Sequence, residues 1–128
     1  MESKFCKTRT AEIGMDTRGF LSVKILPGSV IDEDDALDNF LVIKNISENQ
    51  KQLKLIDLRG NWSMTIKAKE VSKKNSSAEN TLARAFITDS FLTKLTAEFL
   101  ESFSEPEVHQ KFFTSENEAI EWLLTKKV

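Results

Sequence analysis

The 128-residue chain carries one cysteine, one histidine, two prolines, four glycines and no tyrosine. A lone cysteine, Cys6, excludes an intrachain disulfide and suits a reducing compartment, so a cytoplasmic protein is expected. Gly14, Gly19, Gly28 and Gly60 form no phosphate-cradling cluster, and no cofactor is expected. With His109 as its only imidazole and no Gly-x-Ser-x-Gly turn, the chain offers no nucleophile-and-base set, so no catalytic residue is assigned and no enzyme is expected. Apolar runs such as Phe40-Leu-Val-Ile43 are too short to span a membrane, and residues 1–10 lack the apolar run of a secretory signal. The net charge of −2 lacks the cationic surplus that displaces counterions from nucleic acid. Lys67, Lys69, Lys73 and Lys74 are read as a solvated helix face. Asp32, Asp34 and Asp35 miss the alternate spacing and glycine of a calcium loop, so they are read as helix-capping acids and no metal is expected.

What is present is ordinary for a globular chain: 40% hydrophobic and 30% charged residues. Its length suits one domain over residues 1–128. Residues 4 to 15 alternate weakly and predict one edge strand. Asp16-Thr-Arg-Gly19 predicts a tight turn with Gly19 at positive φ, making a hairpin with a strand over residues 20–26. Asp32 caps a first helix whose expected apolar face is Ala36, Leu37, Phe40, Leu41 and Ile43 or Lys44, running through about Ile46.

The most informative stretches are Leu53-Lys-Leu-Ile-Asp-Leu-Arg-Gly60 and Leu82-Ala-Arg-Ala-Phe-Ile-Thr-Asp89. Both read as strands covered on two faces, each feeding a helix. The second helix is expected from Ser63 or Thr65, with Met64, Ala68 and Val71 inward. A third helix is capped by Asp89 or Ser90 and repeats Leu92, Leu95, Phe99 and Phe103, with Phe91 and Leu100 outside that stripe. A short strand over residues 108–113 follows Pro106, and Ser115-Glu-Asn-Glu118 opens the last helix. The fold class is therefore α/β: a mixed four- to five-stranded sheet, helices mainly on one face, in the order β-β-α-β-α-β-α-β-α.

Two acids interrupt this pattern. Asp57 lies inside an apolar strand and Asp89 ends another, with Arg59 nearby. Burying a carboxylate is costly unless it is paired. Asp57 either pairs with Arg59 and its loop, leaving Asp89 to cap a helix, or shares a cation or polar ligand with Asp89. Trp62, in the same loop, either anchors a partner or roofs the core.

The segments Leu55-Ile-Asp-Leu-Arg-Gly60, Ala83 to Ser90 with Phe91 and Leu92, and Phe113-Thr-Ser-Glu-Asn-Glu-Ala-Ile-Glu-Trp-Leu123 together resemble the STAS domains (sulphate transporter and anti-sigma-factor antagonist), in their stand-alone bacterial, antagonist-like branch. The resemblance runs from about Phe5 to Leu124. It implies a mixed sheet with helices mainly on one side. It also implies a Ser or Thr at the start of the second helix that a partner kinase phosphorylates, and the matching positions are Ser63 to Thr65. The signalling members carry Asp-Ser, a small residue and Gly there, whereas this chain reads Asn61-Trp-Ser-Met-Thr65. An N-cap is the favoured reading of that hydroxyl.

The sequence thus points to a non-enzymatic, regulatory module that binds another protein, neither nucleic acid nor membrane. Arg59, Trp62, Ser63, Thr65, Asp89 and Ser90 form its candidate interaction or phospho-acceptor loop. The alternative is a small apolar-ligand or lipid carrier of related fold, suggested by nine phenylalanines. A homodimer through the third helix is expected to cover its surplus apolar surface.

Overall fold

The computed structural model describes residues 4–48, 50–75, 81–89 and 108–127. The single strand expected over residues 4 to 15 is two: β1 (Phe5–Lys7) and β2 (Ala11–Met15), paired antiparallel. Thr8 breaks the run. Its Oγ1 accepts the backbone N–H groups of Thr10 and Ala11, at 3.3 and 3.0 Å, and so turns the chain. The next turn is the predicted one. The Gly19 N–H donates to the Asp16 carbonyl at 3.0 Å, and Gly19 sits at φ +97°, open to glycine at no steric cost. It joins β2 to β3 (Phe20–Ile25), antiparallel.

From β3 onward every neighbour in this sheet is parallel. β5 (Gln52–Asp57) lies beside β3, β7 (Thr81–Ile87) beside β5, and β8 (His109–Phe113) at the far edge. Among the described residues the sheet order is β1-β2-β3-β5-β7-β8, six strands where four or five are expected. The split of the first strand supplies the extra one. A separate two-stranded parallel ladder joins β4 (Val30–Ile31) to β6 (Ser63–Met64).

Parallel strands require crossovers, and two described helices supply them: α1 (Glu33–Ser47) between β3 and β5, and α2 (Ile66–Asn75) between β5 and β7. Both cover one face of the sheet. Ile13, Leu21, Val23, Ile56 and Phe86 pack there with Ala36, Ile46 and Ala68; Val71 joins from α2 as expected, and Met64 joins from β6 rather than from the helix, which starts only at Ile66. α3 (Glu116–Leu124) covers the other face, placing Ala119, Ile120 and Leu123 on Phe20, Leu53, Leu55, Ala85 and Ile87. Period-two alternation sends successive residues of β5 and β7 to opposite layers, which explains their continuous apolar character. Burying side chains the size of Phe20 and Phe86 contributes about 1.5–3 kcal/mol each.

The inner stripe of α1 differs from the expected one. Leu37 and Leu41 face outward, while Asp35 is buried beside Ala36. Asp35 completes a capping box with Asp32 and accepts a two-pronged bond from Arg9 on the β1–β2 turn. That bond is the main cause of a carboxyl held below the usual range. The expected third helix, with Ser90, Phe91, Leu92, Leu95, Phe99, Leu100 and Phe103, lies outside the described residues.

Candidate functional site

The parallel strands end on a common rim, and the register decides what meets there. Asp57 lies opposite Ile87, and Lys24 opposite Asp57. The ladder continues into the loops: the Leu58 N–H donates to the Ile87 carbonyl and the Thr88 N–H to that of Phe113, both at 2.9 Å. In open α/β sheets this is the edge where ligands and partners are met.

Asp57 takes the paired alternative. Arg59 Nε donates to its Oδ1 at 3.0 Å and Nη2 to its Oδ2 at 2.8 Å, while the Arg59 backbone N–H adds a third bond at 3.0 Å. The Asp57 side chain is 9% exposed and that of Arg59 39%. Burial pushes the Asp57 carboxyl up. The hydrogen bonds from Arg59 and the charges of Arg59 and Lys24 outweigh burial and hold it below the usual carboxylate range. The Arg59 guanidinium moves up in turn, chiefly through its bond to Asp57, with Glu116 and Asp89 adding charge.

Asp89 reaches the same loop without meeting Asp57 over a shared ligand. Its Oδ2 accepts the Gly60 N–H at 2.8 Å. The two acids are therefore separately satisfied. From the other side the Gly28 N–H donates to the Asn61 carbonyl and the Ser63 N–H to the Ser29 carbonyl, the latter at 2.9 Å. Trp62 takes the roofing position. It packs against the layer under α1 and α2, and its Nε1–H donates to the Leu58 carbonyl at 2.9 Å. Ser63 is exposed on β6, one strand before the helix. Thr65 is the capping hydroxyl, since its Oγ1 accepts the Ala68 N–H at 3.0 Å at the start of α2. Of the six residues singled out in sequence, Arg59, Trp62, Ser63, Thr65 and Asp89 belong to this rim, and Ser90 lies outside the described residues.

The remaining reactive side chains are spread apart. Cys6 is on β1 and His109 on β8, opposite edges of a six-stranded sheet, about 24 Å apart at five strand spacings. Asp57 sits between them on β5. No nucleophile-and-base pair can form from that set. Two polar contributions escape the sequence reading. The β4–β6 ladder pins the loop through residues 29–31, but two-residue strands leave no alternation to detect. Arg84 is 2% exposed and donates from Nη1 to Gln110 Oε1 at 3.3 Å; beside it, Lys54 donates to Thr81 Oγ1 at 2.9 Å. A cation inside the run Leu82–Ile87 is its signal.

Residues 14–127 match the model of a domain of unknown function, DUF7793. No curated protein matches the chain in sequence. Among solved structures, an uncharacterised protein of the DUF3478 family from Shewanella loihica PV-4, with a SpoIIAA-like fold, superposes with a TM-score of 0.66 at 16% identity, covering 96% of each chain. That likeness shows the fold: this chain has a SpoIIAA-like, and hence STAS-like, α/β architecture.

Proposed function

The chain belongs to the DUF7793 family, and from that premise we propose that it is a non-enzymatic STAS-like regulatory module. It acts as a single domain in a bacterial cytoplasm by binding another protein. The docking surface in this reading is the loop 58–65 with Asp89. One observation carries it: this loop is braced on two sides before any partner arrives. Asp89 holds it from β7, and the Gly28 and Ser29 backbone holds it from the β3 side. A loop already fixed loses little conformational freedom on docking, so contacts made there are retained as affinity. Exposed Asn61, Ser63 and Thr65 and the half-exposed Arg59 present the polar groups.

Thr65 is an N-cap in this reading, and regulation by phosphate at Ser63 or Thr65 is its extension. An added anion there sits beside the free N–H groups opening α2.

The test is quantitative affinity capture from native lysate. It compares the unmodified chain with Arg59→Glu, Ser63→Arg and the remote control Glu121→Lys on α3, with intact-mass reading of phosphate. The expected result is one partner retained by the control and lost with both loop variants. Capture insensitive to the loop overturns the reading. So does recovery of a bound apolar small molecule in place of a loop-dependent partner, which is the outcome a carrier demands.

A further inference from the structure

β8 ends the sheet on one side, and among the described residues no strand lies beyond it. The parallel register decides which of its backbone groups are already used. The Phe113 carbonyl accepts the Thr88 N–H, so Phe113, Lys111 and His109 turn their backbone polar groups toward β7. Gln110 and Phe112 turn theirs outward, two N–H donors and two carbonyl acceptors in a row. The strand is fixed behind them. Arg84 bonds the Gln110 side chain at 3.3 Å, and the Phe112 ring stacks on Phe86 with centroids 5.1 Å apart.

The pleat puts His109, Lys111 and Phe113 on the face that α3 covers. The Phe113 ring lies 5.8 Å from that of Trp122, and both are half-buried. Lys111 Nζ stands 5.5 Å from the Phe113 centroid and Lys126 Nζ 5.2 Å from that of Trp122. Among the described residues neither ammonium has a carboxylate at ion-pair distance. Two acids of α3 are close in sequence. Glu118 stands one turn before Trp122, toward the Phe113 end, and Glu121 is exposed opposite the buried stripe Ala119, Ile120 and Leu123. Beside Lys111 the edge is therefore cationic and aromatic.

We propose that the outer edge of β8 is a strand-addition site for an extended segment of a partner protein, with an acidic residue opposite Lys111 and an apolar residue two positions away, opposite Phe113. The main-chain groups of Gln110 and Phe112 supply the hydrogen bonds. Strand alternation sets both recognised side chains on the α3 face, the carboxylate beside Lys111 and the apolar group against Phe113 and Trp122. The same lysine turns away a second copy. In the antiparallel register that uses both Gln110 and Phe112, Lys111 of one chain lies opposite Lys111 of the other, a like-charge pair. Because the site is already rigid, little ordering is lost when the segment docks. It lies apart from loop 58–65 and does not depend on what that loop binds.

Amide hydrogen exchange followed by NMR tests this, with circular dichroism to verify the fold of each variant. The probe is a short synthetic peptide of alternating threonine and valine that carries one glutamate and, two positions on, one phenylalanine. A second peptide has lysine for the glutamate, and a third has its central backbone nitrogens methylated. The glutamate peptide is expected to slow exchange at the Gln110 and Phe112 amides several-fold, and the methylated peptide to leave them unprotected. Lys111→Glu weakens the glutamate peptide several-fold and makes the lysine peptide the tighter ligand, while Lys111→Ala removes the preference between them. Arg59→Ala changes nothing. No protection of the two amides by the glutamate peptide overturns the proposal. So does equal binding of the glutamate and lysine peptides, a preference that Lys111→Glu fails to reverse, or binding that survives methylation. Protection that rises with protein concentration alone also overturns it, because the edge then belongs to a second copy.

Discussion

Replacing Asp57 by asparagine keeps the shape of the side chain and removes its charge. The cost follows from what the carboxylate does. It accepts three hydrogen bonds, two from the Arg59 guanidinium and one from the Arg59 backbone. An amide can keep the bonds at one oxygen but turns its NH₂ against Arg59 Nη2, a donor facing a donor. Losing a charge-assisted bond costs about 1.5–3 kcal/mol, partly offset because the amide is cheaper to bury, so a net loss of about 2 kcal/mol is expected at neutral pH. With about 2.1 cal/mol/K of unfolding entropy per residue, the 128 residues give about 0.27 kcal/mol/K, and the melting temperature falls by about 7 °C. The pH dependence distinguishes the cause. The folded carboxyl titrates below its ordinary value. Its contribution is therefore complete above the unfolded pKa of about 3.9 and is lost as pH falls through the folded value. Thermal unfolding of both proteins between about pH 7 and pH 2 should show the gap closing in the acid range. A gap that stays constant with pH, or an Asp57→Asn chain as stable as the parent at neutral pH, would refute the reasoning.

Phe86→Ala removes a fully buried ring that stacks on Phe112 at 5.1 Å between centroids. It should cost about 3–5 kcal/mol and lower the melting temperature by more than about 10 °C in calorimetry. Gly14→Ala places a Cβ 2.9 Å from the Lys4 carbonyl oxygen, which also accepts the Met15 N–H. β1 must shift to make room, so hydrogen exchange at Met15 should quicken while the amides of β5 and β7 keep their protection.

The central strands were legible because their signal is local: Leu53–Leu58 and Leu82–Ile87 are apolar on both pleats, as two covered faces require. The register that joins them was not, because it depends on pairing across some thirty residues, and only that pairing brings Asp89 to the Gly60 N–H. Asp57 with Arg59 could be read as a pair two residues apart in an apolar run. The stripe of α1 departs from expectation for a physical reason. Leu37 and Leu41 are as apolar as any core residue, and hydropathy does not know that Arg9 reaches over from the β1–β2 turn to hold Asp35 inside. The break at Thr8 was hidden in the same way, because a hydroxyl that turns the chain looks like any polar residue of an alternating strand. Helix capping at Asp32, Thr65 and Ser115 was readable because a cap is decided within three residues.

The common direction of β3, β5, β7 and β8 separates the two ends of the molecule. The turn at residues 16–19 and the link before β5 lie on the rim away from loop 58–65, across the length of a six-residue strand, about 20 Å. Thr17 and Lys51 are exposed there. A fluorophore, an affinity tag or a surface tether attached at either position leaves the polar loop pointing into free solution, so immobilised protein keeps it accessible.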